Sequence, residues 1–363
     1  MAQKVALITG IGGQDGSYLA EFLLEKGYKV RGIIRRASLP NTKRIEHLVM
    51  KYGTSDDKNS SFLVKYADLT DTSSIKAIIE DFQPDEIYHI GAQSHVGISF
   101  NNAESTININ TLGTLRILET LRQMKSKCKF YQASSSEMFG ISPPPQNEST
   151  PMIPQSPYGI SKLAAYHLTR LYRNAYGLFA SNGILFNHES PRRGYNFVTR
   201  KITKELAKIV VGESDKIVLG NLDAKRDWGF SKEYIEAMWA ILQQPTPDDF
   251  VIATEETHTI EDFVKEAFSL VGLNYENHLI TSNQFKRPAE VPALLGDSSK
   301  AKRILGWNPK VKFKEIAFMM VESDLKEKLE ESGLIPIEPN VVRPEGYYIE
   351  KAKEILAKRK QNL

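Results

Sequence analysis

The stretch that decides the fold runs from Lys4 to Gly27 and reads KVALITGIGGQDGSYLAEFLLEKG. It opens with a short apolar run, Val5–Ile8, that stops at glycine and reads as a buried strand. It closes with Tyr18, Leu19, Phe22 and Leu23 at helical spacing and a stop at Gly27. Between them the glycines fall at Gly10, Gly13 and Gly16, a G-x-x-G-x-x-G spacing rather than G-x-G-x-x-G. Three glycines there allow a tight turn, close approach of backbone to a pyrophosphate, and close packing of helix on strand. Glycine-rich turns are common, so the weight comes from position: strand end, helix start, first unit of an alternating chain.

The alternation continues outward. Tyr28–Ile34, Ser61–Leu69, Pro84–Ala92, Cys128–Ser135 and Phe179–Phe186 read as strands. Asp71–Gln83, with a cap at Asp71 or Thr72, is a helix; Thr111–Met124 lies in another, and Ser156–Gly177 forms a long one. This rhythm predicts an α/β fold, a doubly wound parallel sheet of Rossmann type covered on both faces. From about Glu189 the pattern loosens, as in a smaller substrate lobe, and Asp249–Thr254 reads as a strand returning to the sheet. The expected division is therefore 1–188 plus about 225–255 for the Rossmann domain, with a C-terminal lobe discontinuous in sequence, about 189–224 and 256–335. Residues 336–363 form a basic tail, read as a solvated helix, and Pro143–Pro145 a rigid surface loop.

Composition bounds the function. In 363 residues, 47 basic side chains stand against 44 acidic ones, for a net charge of +3, which argues for neither nucleic acid nor a membrane surface as partner. The single cysteine, Cys128, excludes an internal disulfide and fits a reducing compartment. The N-terminus lacks the apolar core of a signal peptide and no apolar run reaches spanning length, so a cytoplasmic location is expected. The seven histidines are scattered without an H-E-x-x-H cluster, and no metal is expected.

Dinucleotide choice is read at the end of the second strand, where NAD enzymes place an acid about 20 residues after the glycines. Here Arg35 and Arg36 stand there, with Ser38 behind them, and guanidinium groups suit a 2′-phosphate: NADP rather than NAD. Two arginines that merely solvate a loop are the competing explanation. Asp68, after the third strand, is placed to reach the adenine edge. In SPYGISK, Tyr158 and Lys162 lie four apart on one helix face, Ser156 is a good N-cap and Pro157 suits the first turn. A phenol titrates near about 10; a neighbouring ammonium stabilises the phenolate and suits it to take a proton from an alcohol as hydride leaves. Period-two alternation lets Ser135 and Glu137 face one space beyond the strand end. Alcohol oxidation needs only a hydroxyl and the Tyr/Lys pair, so an added carboxylate implies a second proton transfer. Spacing alone favours a solvated loop acid at Glu137.

These motifs, with IRRASLPNTKRIEHL, GAQSHVGISF, FYQASSSEMFG, NGILFNHESPRRGYNFVTRKI, LGNLDAKRDWGFSKEYIEAMW and RPAEV, make the chain resemble the extended short-chain dehydrogenase/reductase superfamily from about Val5 to about Glu330. Within it, the resemblance is to the GDP-mannose 4,6-dehydratase family. It implies a hydro-lyase working in three stages: oxidation at sugar C4, elimination of water across C5 and C6, and hydride return to C6. Tyr158 would be the base at the C4 hydroxyl, Ser135 a hydrogen-bond partner of O4, Lys162 the group that lowers the tyrosine pKa and holds the ribose, and Glu137 the acid–base of the elimination.

By the same resemblance Gln14, Asp15, Leu69, Gly91, Ala92, Gln93, Ser94, His188 and Arg193 join the NADP site. Asn187, Val198, Lys201, Arg226, Arg287 and Glu290 fall on the GDP-sugar side, where arginines pair with a diphosphate. The RRASLPNTKR loop resembles one that reaches a neighbouring subunit, implying a homotetramer, with a dimer as the alternative. Two departures stand out: serine replaces the usual threonine at Ser135, losing a rotamer-fixing methyl, and Ser105 replaces a tyrosine. They leave open a C6-extended substrate, GDP-D-glycero-D-manno-heptose. A GDP-sugar 4-reductase or epimerase would not need Glu137, and a non-catalytic NADP-binding protein would not retain the whole constellation.

Overall fold

The computed structural model describes residues 3–38, 41–52, 59–285, 287–339 and 341–361. In chain order the first elements are β1 (Val5–Thr9), α1 (Gln14–Glu25), β2 (Lys29–Ile34), α2 (Glu46–Tyr52), β3 (Phe62–Tyr66), α3 (Thr72–Phe82) and β4 (Glu86–His89). Then come α4 (Val96–Ser99), α5 (Ala103–Ile107), a π-turn (Asn108–Leu112), α6 (Gly113–Gln123), β5 (Lys129–Ser135), α7 (Pro157–Tyr176) and β6 (Ala180–Leu185). The remainder comprises β7 (Asn187–Glu189), α8 (Val198–Val211), β8 (Ile217–Leu219), β9 (Lys225–Phe230), α9 (Ser231–Gln243) and β10 (Asp249–Ile252), followed by β11 (Thr257–Thr259), α10 (Ile260–Leu270), β12 (Leu279–Thr281), α11 (Ser299–Leu305), α12 (Phe313–Glu331) and α13 (Tyr347–Gln361).

The large sheet has seven strands in the order β10-β6-β5-β4-β1-β2-β3, and every pairing in it is parallel. The chain runs outward from β1 to β3 and then returns to β4 on the other side of β1, which makes the β1/β4 boundary the point where ligands bind in such sheets. Alternation along the strands sends Ala6 and Ile8 to a core under α1, α2 and α9, and Leu7 to one under α3, α6 and α7. Gly16 is dictated by this packing. A Cβ there would lie 2.3 Å from the Gly10 carbonyl oxygen, so only glycine lets α1 sit against the turn.

Asp71 caps α3 by accepting from the Ser73 and Ser74 amides. Ser156 caps α7 through the Gly159 amide, with Pro157 in the first turn. The helix expected over Thr111–Met124 begins instead with the π-turn that ends at Leu112.

A second hydrophobic core joins α8, α10, α12 and α13 to β8 and β9. The segment 225–255, expected with the Rossmann domain, contributes strands to two sheets. β9 pairs with β7 and β11 in a separate three-stranded sheet, while α9 packs on α1 and β10 pairs with β6. Only one residue, Phe186, separates β6 from β7, so the chain passes there from one sheet to the other. The basic tail differs from the solvated helix expected. Its last helix, α13, buries Ile349 and Ala352, its first amides donate to Glu322, and Arg359 donates to the Ile209 and Val210 carbonyls at the end of α8. Tyr348, Ile355 and Leu356, half-buried against the same core, complete the apolar side that docks it. Among the described residues no helix is long and apolar enough to cross a membrane.

Candidate active site

A cleft of about 1010 Å³ opens above the carboxyl ends of β1, β4, β5 and β6, and α8, β9, Phe285, Arg287 and Glu290 close its far bank. At its floor Gly10 takes φ 73° and lies against Gly91, where a Cβ would meet the Gly91 Cα at 2.8 Å. Gly13 stands at the N-cap of α1 without a side chain, so the first amides of that helix face the cleft bare. This is the geometry that receives a pyrophosphate: free N–H groups, the positive end of a helix dipole, and no Cβ in the way. The residues present therefore fit a dinucleotide.

Around that floor the polar groups are paired with one another. Asp15 Oδ2 lies 2.9 Å from His188 Nε2, and Asp15 Oδ1 accepts from Ser231 Oγ at 2.8 Å. Gln14 donates to the His188 carbonyl and accepts from Ser190 Oγ. His188 Nδ1 faces the Phe186 carbonyl at 2.8 Å, so both ring nitrogens meet acceptors and both carry protons. Burial opposes this imidazolium, but the Asp15 carboxylate outweighs it and raises the His188 pKa. Asp15 is correspondingly held low: burial opposes its charge, and His188 and Arg193 outweigh burial.

The expected alternation of Ser135 and Glu137 is replaced by a tighter geometry. β5 ends at Ser135, and Ser136–Met138 form a single 3-10 turn whose first amide partner, Glu137 N–H, donates to Ser135 Oγ at 3.2 Å. Turning rather than extending still brings both side chains to the cleft. Glu137 is buried, and its Oε2 has no hydrogen-bond partner; Arg287 Nη1 stands 3.9 Å from Oε1. Asn187 Oδ1 is likewise buried and unpartnered on the cleft wall. Unpaired buried polar atoms are rare in folded proteins, and these two line the same cleft, as groups reserved for a ligand do.

Tyr158 and Lys162 both line the cleft, one turn apart on α7. Burial raises the Tyr158 phenol to about 12, against which the Ser135 hydroxyl acts as hydrogen-bond partner. Burial lowers Lys162 to about 8, with Asp15 opposing. The ammonium donates to the Ala133 carbonyl at 2.7 Å and stands 6.0 Å from the tyrosine ring centroid. The direct effect of lysine on the phenol expected from their spacing is thus not what sets the phenol here.

On the far bank, Arg226 is buried, donating to the Lys225 and Val291 carbonyls and to Glu290 at 3.2 Å. Arg287 pairs with the same Glu290 oxygen at 3.4 Å. Lys201 donates to the Val218 carbonyl and lies over the Phe285 ring. Val198 opens α8, and Arg193 packs over Phe197 beside Glu189.

Six of the residues expected in the cofactor site lie off the cleft wall. Arg35, Arg36 and Ser38 are exposed beyond β2, in a loop whose Leu39 and Pro40 lie outside the described residues. Asp68 spends one oxygen on Thr70, through both its amide and hydroxyl. Leu69 packs towards Gly91 and Gly113, and the Gln93 side chain bonds the His95 backbone and Thr106. Conversely Arg44, His95, Asn196 and Trp228 line the cleft without having been singled out in the sequence. Arg44 reaches it from the loop before α2 by donating to the Arg192 carbonyl, a contact no local pattern announces. Only His95 carried a signal, a polar residue just before a short helix.

Comparison with known proteins places these features. The GDP-mannose 4,6 dehydratase family matches residues 7–320. GDP-mannose 4,6 dehydratase 2 of Arabidopsis thaliana is 53% identical over 338 residues, 92% of this chain and 90% of that protein. The human GDP-mannose 4,6 dehydratase is 50% identical over 344 residues, covering 89% of this chain and 92% of the relative. Among solved structures, UDP-glucuronic acid 4-epimerase from Bacillus cereus superposes with a TM-score of 0.78 at 23% identity, over 89% of this chain and 99% of that one, a likeness of fold.

Proposed function

This chain belongs to the GDP-mannose 4,6-dehydratase family, and we propose on that premise that it converts GDP-mannose to GDP-4-keto-6-deoxymannose. The observation that carries the mechanism is Glu137, a buried carboxylate with a free oxygen in the same cleft as Ser135, Tyr158 and Lys162. A bare oxidation at C4 has no use for it; an elimination does.

Gly10, Gly13, Gly16 and the amides of α1 would hold the pyrophosphate of a nicotinamide dinucleotide, with Gly91, Ala92 and Ser94 flanking it. When bound, the dinucleotide supplies an acceptor that takes hydride from C4 and returns it to C6. Tyr158 takes the proton of the C4 hydroxyl, and Ser135 holds the phenol and the oxygen in line. Burial raises the phenol to about 12 and keeps its own proton on, so Tyr158 acts as that base once positive charge beside it has drawn the proton off. Lys162, oriented by the Ala133 carbonyl, is placed to hold the ribose and supply positive charge. The 4-keto group acidifies C5; Glu137 takes that proton and delivers it to the departing C6 oxygen, so water leaves. One proton was taken from O4 and one is needed at C5 when hydride reaches C6, so the cycle closes without net redox change. On the far bank Arg226, Arg287, Glu290, Lys201, Val198 and Asn187 are offered to the nucleotide sugar, the guanidinium groups to its diphosphate.

Three finer readings go with this proposal. NADP is favoured over NAD because Arg35 and Arg36, not an acid, follow β2. A cytoplasmic homotetramer is favoured, with the loop around Arg35–Arg44 reaching a neighbour. The domain division follows the two banks, with β9 on the far one. No comparison favours the heptose alternative. Mass spectrometry of the purified protein with NADP+ tests the reading, with GDP-mannose and GDP-manno-heptose offered separately and in competition. Loss of one water chiefly from GDP-mannose is expected. Preferential loss from the heptose would move the substrate, and no loss from either would overturn the dehydratase reading.

A further inference from the structure

His95 sits where the two banks of the cleft meet, and both of its ring nitrogens are engaged. Nδ1 accepts the Ile98 amide at 3.0 Å and so caps α4, which requires that nitrogen to be unprotonated. Nε2 lies 3.1 Å from the Asn196 carbonyl, an acceptor, and therefore carries the proton. Burial lowers the His95 pKa, with the Arg287 and Arg193 charges adding to it and the Asn196 carbonyl opposing, in keeping with the neutral ring.

Each contact leads to a working part of the site. The capped helix α4 ends in Ser99, which is fully buried; its Oγ donates to the Val96 carbonyl and accepts the backbone N–H of Tyr158 at 3.2 Å. That amide belongs to the first turn of α7, so the cap on α4 sets the height at which the tyrosine enters the cleft. Asn196 lies in the turn between Arg193, expected at the cofactor, and Val198, expected at the sugar, both of which line the cleft, and the Phe197 ring packs 5.7 Å from the imidazole. We propose that His95 is a positioning residue for the dehydration: through Nδ1 it seats Tyr158, and through Nε2–H it holds the far-bank turn against the large sheet.

The two nitrogens can be separated by substitution. His95→Asn keeps an acceptor for the Ile98 amide, since asparagine is among the best N-caps, but is too short for Asn196. His95→Gln can reach the Asn196 carbonyl with its amide but leaves α4 uncapped. This proposal rests on the dehydratase reading, so steady-state turnover of GDP-mannose by the full chain with NADP+ is one measurement and hydrogen exchange is a second. His95→Ala should lose about tenfold in kcat, the size of effect expected from misplacing a reacting group. Its KM should rise about fivefold, as for one lost hydrogen bond. His95→Asn should recover kcat and leave KM raised; His95→Gln should recover KM and leave kcat low. Wild-type behaviour in all three variants, or equal losses in both parameters by Asn and Gln, would overturn the positioning role. If the wild-type protein removes no water from GDP-mannose, the dehydratase reading fails on its own. Exchange then judges His95: the Tyr158 amide should exchange faster in His95→Gln than in His95→Asn, and equal rates would overturn the proposal.

Discussion

On the bank built from the large sheet, the charged and polar side chains around the glycine turn satisfy one another: Gln14, Asp15, His188, Ser190 and Ser231 form a closed network. At the end of β5 and facing it on the far bank, Glu137, Arg287 and Glu290 stand at 3.9 and 3.4 Å, longer than good hydrogen bonds, and Glu137 and Asn187 keep unpaired buried oxygens. The first bank presents backbone to its ligand and uses side chains as scaffold. The second presents side chains and leaves Glu137 and Asn187 poised among them. A cofactor that returns unchanged each turnover suits a fixed cradle; a sugar that changes at three carbons needs groups free to respond.

Glu137→Gln breaks the comparison hardest. It removes the buried acid–base with a free oxygen at the end of β5, and water loss should fall about 10²–10⁴-fold. Oxidation at C4 should survive, visible as reduced nicotinamide that accumulates and as a sugar nucleotide lighter by two hydrogens but not by a water. Full turnover would remove Glu137 from the mechanism.

Asp15→Asn attacks the closed bank. Removing one partner of a buried pair costs about 3–5 kcal/mol, read as a fall in the denaturant midpoint. The pH dependence follows from both shifts. Asp15 is lowered from 3.8, so its contribution is present above that value and disappears as pH falls through the folded pKa. His188 is raised from 6.5, so its contribution is full below that value and disappears as pH rises through its folded pKa. Wild-type stability should therefore gain most from this pair between about 4 and 6.5, and the variant should lose that gain.

Gly16→Ala tests whether the cradle is as tight as it looks. A Cβ at 2.3 Å from the Gly10 oxygen forces backbone apart, at about 1–3 kcal/mol. Dinucleotide affinity, followed by fluorescence titration, should fall with it. Arg226→Lys sharpens the view of the open bank with the smallest effect. The lysine keeps the charge but cannot reach both carbonyls and Glu290, so KM for the nucleotide sugar should rise about tenfold, the loss of a charge-assisted contact, with kcat little changed.

Much of the near bank was legible because its signals are local. The glycine spacing, the Ser156–Pro157 helix start and the Tyr158/Lys162 pair each lie within a turn or two of chain. Ser135 and Glu137 were legible as residues but not as geometry. Strand alternation pointed them the same way, whereas the chain turns at Ser135, and the hydroxyl capping that turn is the reason. Asp68 and Gln93 were expected at the cofactor, yet their side chains close turns of their own, a use that short polar side chains share with ligand binding and that spacing does not separate.

By itself the sequence determined the α/β order, the glycine cradle and the chemistry on offer, because period, capping and turn chemistry act between neighbours. Tertiary structure alone decided which of those groups are spent and which are free. The charge on His188 is set by Asp15, 173 positions away, and the seating of Tyr158 by Ser99, 59 positions away. Burial and long-range pairing fix protonation and orientation, and both arise only when distant segments are packed against one another.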